Sequence, residues 1–156
     1  MIVRAVGQDA HKALGLQMEL SHGRHGASAR LEVYDRPDAG PGARRIARLT
    51  LRGWIDRTAL MRLGRTLDDM ASRGVDQLVL DCAELRHVDY RMTAGLVERL
   101  ERFESHAGGV IVCGLSRHLR DLFRLAGCEG RLRCRPSADE LLAEPLAPGP
   151  GHGIAS

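Results

Sequence analysis

A chain of 156 residues, 44% hydrophobic and 28% charged, suits one globular domain with tails and is long enough to bury a core without disulfides or a structural metal. Its net charge of +3 comes from arginine, Lys12 being the single lysine, and aromatics are only 3% of the chain; interleaved signs and few rings speak against a module that grips phosphates or stacks bases. No apolar run approaches the ~20 residues that span a bilayer and no signal-peptide core follows Met1, so a cytoplasmic protein without membrane insertion is expected.

Residues 1–12 show no clear period and read as an arm. Over 14–20, Leu14, Leu16, Met18 and Leu20 alternate with Gly15, Gln17 and Glu19, the period of a half-buried strand, with a short helix as the alternative. Residues 21–28, with Gly23, Gly26, His22 and His25, read as a loop; two histidines without a third ligand make a solvent-facing turn rather than a metal site. Leu31 and Val33 alternate around Glu32 in the next strand, which ends at Asp35-Arg36-Pro37, and 37–42 is a turn by composition. Alternation returns over 46–51 and leads to Gly53-Trp54-Ile55-Asp56, so two antiparallel neighbours feed a helix. Asp56 is placed to cap that helix, whose stripe is Leu60, Leu63, Leu67, Met70 and Ala71, ending before Gly74.

The apolar run 75–80 is too short for a typical helix and reads as a parallel strand buried on both faces. A loop of mixed residues then leads to Asp89, a candidate N-cap. From Met92 onward Leu96, Val97, Leu100 and Phe103 form a buried stripe, with Glu98, Arg99, Glu101 and Arg102 outside, up to Gly108-Gly109. Residues 110–113 form another short strand, joined to the previous one by a parallel crossover. Ser116 caps a helix that turns Leu119, Leu122, Phe123 and Ala126 inward and stops at Gly127. Residues 132–134 read as an edge strand, and Ser137 as the cap of a short final helix with Leu141 and Leu142. The tail 144–156, rich in proline and glycine from Pro145, is expected to be disordered.

Enzyme signatures are missing: no GxSxG elbow, Walker loop, HExxH or GxGxxG follows a strand. His87 lacks a nucleophile to serve and reads as a loop histidine. Cys82, Cys113, Cys128 and Cys134 form no CxxC pair and read as reduced, unpaired thiols. No catalytic residue, metal or cofactor is expected.

Taken in order, Gly53-Trp54-Ile55-Asp56, Leu78-Val79-Leu80-Asp81, Val88-Asp89, Gly114-Leu115-Ser116 and Leu125-Ala126-Gly127 resemble the landmarks of a STAS domain, the domain of anti-sigma factor antagonists and of sulphate-transporter tails. The resemblance covers roughly residues 29–142. It implies an α/β fold with a mixed sheet of four to five strands and helices mainly on one face. The chain then divides into an N-terminal extension 1–28 with an extra strand at 14–20, a STAS domain 29–143, and the tail 144–156.

The resemblance also implies a function. In antagonists the residue after the motif aspartate is a serine, phosphorylated by a partner kinase that is itself the anti-sigma factor; here that position holds Tyr90, followed by Arg91 and Met92. A site shaped for a small hydroxyl does not accept a phenol, so the usual phosphorylation is not expected. Thr93 and Ser116 are the remaining candidate acceptors, although Thr93 can simply satisfy a backbone carbonyl and Ser116 is most simply a cap. Tyr90 and Arg91 are side chains that often dominate binding surfaces. The expected contact set is Asp56, His87, Asp89, Tyr90, Arg91 and Thr93. It would face a bacterial anti-sigma factor of the serine-kinase type, acting in transcription regulation. The alternatives are an accessory STAS subunit docked on the ATPase of an ABC-type lipid transporter, and an anion- or small-ligand-binding protein using the exposed helix start.

Overall fold

Alternating side chains set the sheet and three- and four-residue spacings set the helices. The structure is a computed structural model, and it describes residues 11–35 and 45–138. Its elements are β1 (His11–Ser21), β2 (Ala27–Asp35), β3 (Arg45–Ile55), α1 (Arg57–Ser72), β4 (Val75–Val88), α2 (Tyr90–His106), β5 (Gly109–Cys113), α3 (Arg117–Leu125) and β6 (Arg133–Arg135). The strands form one six-stranded sheet in the order β1-β2-β3-β4-β5-β6. β2 runs antiparallel to both of its neighbours, β1 and β3, whereas β3 to β6 run parallel. This is the mixed α/β sheet expected, with more strands than the four to five anticipated, because the long β1 and the three-residue β6 both join its margins.

One side of the sheet carries the core. Leu49, Leu51 and Ile55 of β3 and Leu78 and Leu80 of β4 are at most 1% exposed, and they pack in one cluster with Leu63 and Leu67 of α1, Leu96 and Leu100 of α2 and Leu119 of α3. Each such side chain contributes about 1.5–3 kcal/mol by leaving water, so all three helices are held on that face. Residues of opposite parity, Tyr34, Ile46, Val79 and Cys113, form a second, smaller cluster. On that side Arg48 meets Asp81 at 2.5 Å, both nearly buried, and Asp81 Oδ1 also accepts the Ala83 N–H at 3.0 Å. Burial, reinforced by Asp81, pushes the Cys113 thiol up to about 12; burial likewise raises Cys82. Thiols held protonated in this way are inert.

Three local expectations change. The stretch after Leu80 is not a loop: β4 continues to Val88, paired with β3 as far as Ile55 opposite Val88. Its mixed composition is that of a strand with one buried side, Leu85 and Val88 inward and Ala83, Glu84 and Arg86 exposed. β2 likewise begins at Ala27 and β1 at His11, inside stretches read as loop and arm. The 37–42 turn, the final helix with Leu141 and Leu142, and the tail 144–156 lie outside the described residues.

Candidate functional site

Three parallel strands, each followed by a helix, bring three helix starts to one end of the sheet. Asp56 Oδ1 accepts the Ala59 N–H at 2.8 Å and caps α1. Asp89 Oδ1 accepts the Arg91 N–H at 3.0 Å and caps α2. Ser116 Oγ accepts the Leu119 N–H at 3.1 Å and caps α3. The Asp89 N–H donates to the Ile55 carbonyl at 2.9 Å, so the two aspartates stand at adjacent strand ends.

Beyond its cap, α2 turns outward. Tyr90 is 52% exposed, and its hydroxyl donates to the Leu125 carbonyl at 3.3 Å, tying the start of α2 to the end of α3. The Arg91 side chain is 79% exposed and reaches back to Asp89 Oδ2 at 3.4 Å. The Arg91 guanidinium, with the Arg91 N–H second, holds the Asp89 carboxyl below the usual carboxylate range. An ionised cap beside a helix N-terminus is electrostatically favoured.

Five of the six expected contact residues, Asp56, His87, Asp89, Tyr90 and Arg91, therefore lie at this end. Thr93 does not belong to the surface: it is fully buried and its hydroxyl donates to the Asp89 carbonyl at 3.3 Å. One turn into α2 it faces the core, so it is neither a contact nor an accessible acceptor. Ser116 is exposed, with its oxygen engaged in the cap. His87 sits on β4, opposite Trp54 of β3, rather than in a loop.

Sequence reasoning missed a line of rings. His25 stacks on Trp54 with centroids 3.8 Å apart and planes at 13°. Trp54 abuts His87 at 4.7 Å, and His87 Nδ1 lies 2.8 Å from His118 Nε2 at the start of α3. Trp54 was legible in part, because Ile55 must point inward and its neighbour therefore outward. The histidine contact, between residues 31 apart, has no local signal. Gly53 makes room for the line. Its φ of +87° suits glycine, and a Cβ there would come within 2.0 Å of the Gly26 carbonyl oxygen.

Residues 42–136 match the family model described as "Mlab, STAS domain". The chain belongs to the STAS domain family. Solved structures similar to this STAS chain include the unphosphorylated anti-sigma factor antagonist SpoIIAA, at 20% identity and a TM-score of 0.52 over 62% of this chain and 84% of that one. An anti-sigma factor antagonist from Mycobacterium paratuberculosis is similar at 16% identity and a TM-score of 0.53, over 72% of this chain and 91% of that one. No curated protein matches. The fold is thus that of anti-sigma factor antagonists.

Among the described residues of this STAS domain, no three His, Cys, Asp or Glu side chains cluster as metal ligands, and no helix is long and apolar enough to cross a membrane. An open groove of about 650 Å³ borders the site, lined by Glu19, Ser28, Arg52, Glu84 and Arg86 among others. Its lining is mainly polar.

Proposed function

We propose that this STAS domain is a cytoplasmic, non-enzymatic docking module that binds a regulatory protein through the start of α2, with Asp56, His87, Asp89, Tyr90 and Arg91 in the contact. The partner is an anti-sigma factor of the serine-kinase type, bound without the usual serine acceptor. One observation carries the reading: Tyr90 and Arg91 project into solvent immediately after a capped aspartate. A large ring tied by its hydroxyl and a guanidinium braced by Asp89 are side chains of the kind that anchor interfaces. The similarity to anti-sigma factor antagonists supports the class of partner. We place the module at residues 29–143.

The occupant of the acceptor position favours a second reading. With Tyr90 there, the partner need not be a kinase, and the same face would suit the ATPase of an ABC-type lipid transporter. A small-anion receptor is disfavoured, because side-chain oxygens of Asp56, Asp89 and Ser116 already take N–H groups at the three helix starts.

Affinity capture from native lysate, followed by identification of the bound protein, tests the assignment. An anti-sigma factor lost on Tyr90→Ala is the expected result. A transport ATPase captured in its place overturns the first reading in favour of the second. Intact-mass measurement after incubation with ATP and the captured kinase is expected to show no added phosphate.

A further inference from the structure

The end of the sheet that bears Tyr90 is unevenly charged. Arg24, Arg57, Arg86 and Arg117 are exposed there, and none makes an ion pair among the described residues. Its carboxylates are engaged: Asp56 and Asp89 cap helices, and Glu84 pairs with Arg52 at 3.0 Å. Glu19, near the end of β1, and the Asp56 carboxylate are opposing charges without an ion pair among the described residues.

Through this field runs the line His25–Trp54–His87–His118. The last two rings are 2.8 Å apart between nitrogens with centroids 5.1 Å apart and planes at 21°, so they meet edge to edge through one N–H···N hydrogen bond. Such a pair accepts one further proton readily, since imidazolium donating to imidazole is a charge-assisted bond. A second further proton would set two donors against each other. One further proton turns the contact into an imidazolium–imidazole bond and gives the strip one more positive charge. Burial, then His118, and more weakly His25 hold His87 below its ordinary value, while Asp89 pulls it upward.

We infer that the strip His25–Trp54–His87–His118, flanked by Arg86 and Arg117, receives an acidic segment of the docking partner and tightens on it as the histidine pair takes up a proton. This rests on the docking reading above and adds the chemistry of the partner's contacting segment. Two fixed carboxylates, Asp56 and Asp89, interrupt the cations, an arrangement that suits separate carboxylates better than a continuous phosphate track. The exposed ring of Trp54 supplies an apolar body for the segment to lie on.

Trp54 is the only tryptophan, so its fluorescence reports the strip directly. The probe is a capped octaglutamate peptide, with octaglutamine as control and a single-stranded oligonucleotide of equal charge as competitor, titrated at low salt. The glutamate peptide is expected to change Trp54 emission and to bind at least about threefold tighter near pH 6 than near pH 8. Arg86→Gln with Arg117→Gln, both at exposed positions, should weaken it several-fold. His118→Asn should remove the pH dependence. Equal binding of glutamate and glutamine peptides, tighter binding of the oligonucleotide, or an unchanged pH dependence in His118→Asn overturns the inference. If capture of the partner fails on Tyr90→Ala yet is indifferent to the Arg86, Arg117 and His118 changes, the docking reading stands and this inference alone falls.

Discussion

Asp56 and Asp89 hold equivalent positions: each ends a parallel strand and caps the helix that follows, and they are neighbours across the sheet. Their helices diverge within one turn. After Asp56, the exposed Arg57-Thr58 pair carries no ring, and Ala59 and Leu60 are buried. After Asp89, Tyr90 and Arg91 stand in solvent and burial begins at Thr93. The same cap chemistry stands before an exposed Arg57-Thr58 in one helix and an exposed Tyr90-Arg91 in the other. What distinguishes them is the identity of the next residues, not the carboxylate.

The comparison breaks most completely if the shared strand end is lost. Gly53→Ala forces a left-handed φ on a side chain and drives its Cβ into the Gly26 carbonyl; the expected destabilisation is on the order of 3 kcal/mol, read as a lower urea midpoint. Both caps and the His25–Trp54 stack should loosen together. An alanine variant of unchanged midpoint would mean that the β1–β2 turn does not hold this end in place.

Next in size is the difference between the two first turns. Tyr90→Ala is expected to leave the unfolding midpoint within about 0.5 kcal/mol of the parent, as for exposed sites, and to weaken the captured partner's binding by about 2 kcal/mol or more, a typical anchor value. Leu60→Ala, one turn into α1, should do the reverse, costing about 2–5 kcal/mol of stability with an unchanged dissociation constant for the fraction that remains folded. Isothermal titration with the captured partner, alongside chemical unfolding, separates the two. If Tyr90→Ala binds as the parent does, α2 is no more a docking start than α1.

The caps themselves should be nearly equal. Asp56→Ala and Asp89→Ala each remove an acceptor from a helix N-terminus, at a cost of about 1 kcal/mol. Both are expected to weaken binding, the second more strongly, since Asp89 also braces the Arg91 guanidinium. Equal binding by both variants would place the contact elsewhere.

Much of this arrangement is visible along the chain. Leu60, Leu63 and Leu67, or Leu96, Leu100 and Phe103, reveal their buried stripe by spacing alone, and Asp56, Asp89 and Ser116 are legible as caps because a cap is a local hydrogen bond. Less legible was β4 beyond Leu80, because a strand covered on one side shows polar residues at every second position and resembles a loop until its partner is known. Least legible was the His87–His118 contact, which exists only because parallel pairing sets β4 beside β5 and so brings the start of α3 to the end of β4. Thr93 fell between: its proximity to Asp89 placed it near the site, while its helical phase turned it inward.

The smallest effects separate the two titrating groups at the α2 start, and both have the same sign. Asp89 is held below the usual carboxylate range by Arg91, so the folded state favours its ionised form. The stability it contributes is present above the unfolded carboxylate value of about 4 and is lost as pH falls through the lower, folded value. His87 is held below its ordinary value by burial first and His118 second, so the folded state favours the neutral ring. Its contribution is complete above about pH 6.5 and is lost as pH falls through its depressed folded value. The two limbs therefore occupy different windows. His87→Gln should flatten the stability profile between about pH 7 and 5 and leave the more acidic limb, whereas Asp89→Asn should flatten only the limb below about pH 4. Urea unfolding at stepped pH measures both, and a His87→Gln profile that still falls as steeply between pH 7 and 5 would show that the proton is taken up elsewhere. Because the proposed contact needs Asp89 ionised to brace Arg91, binding should tighten through the histidine window and fail only in the carboxylate one.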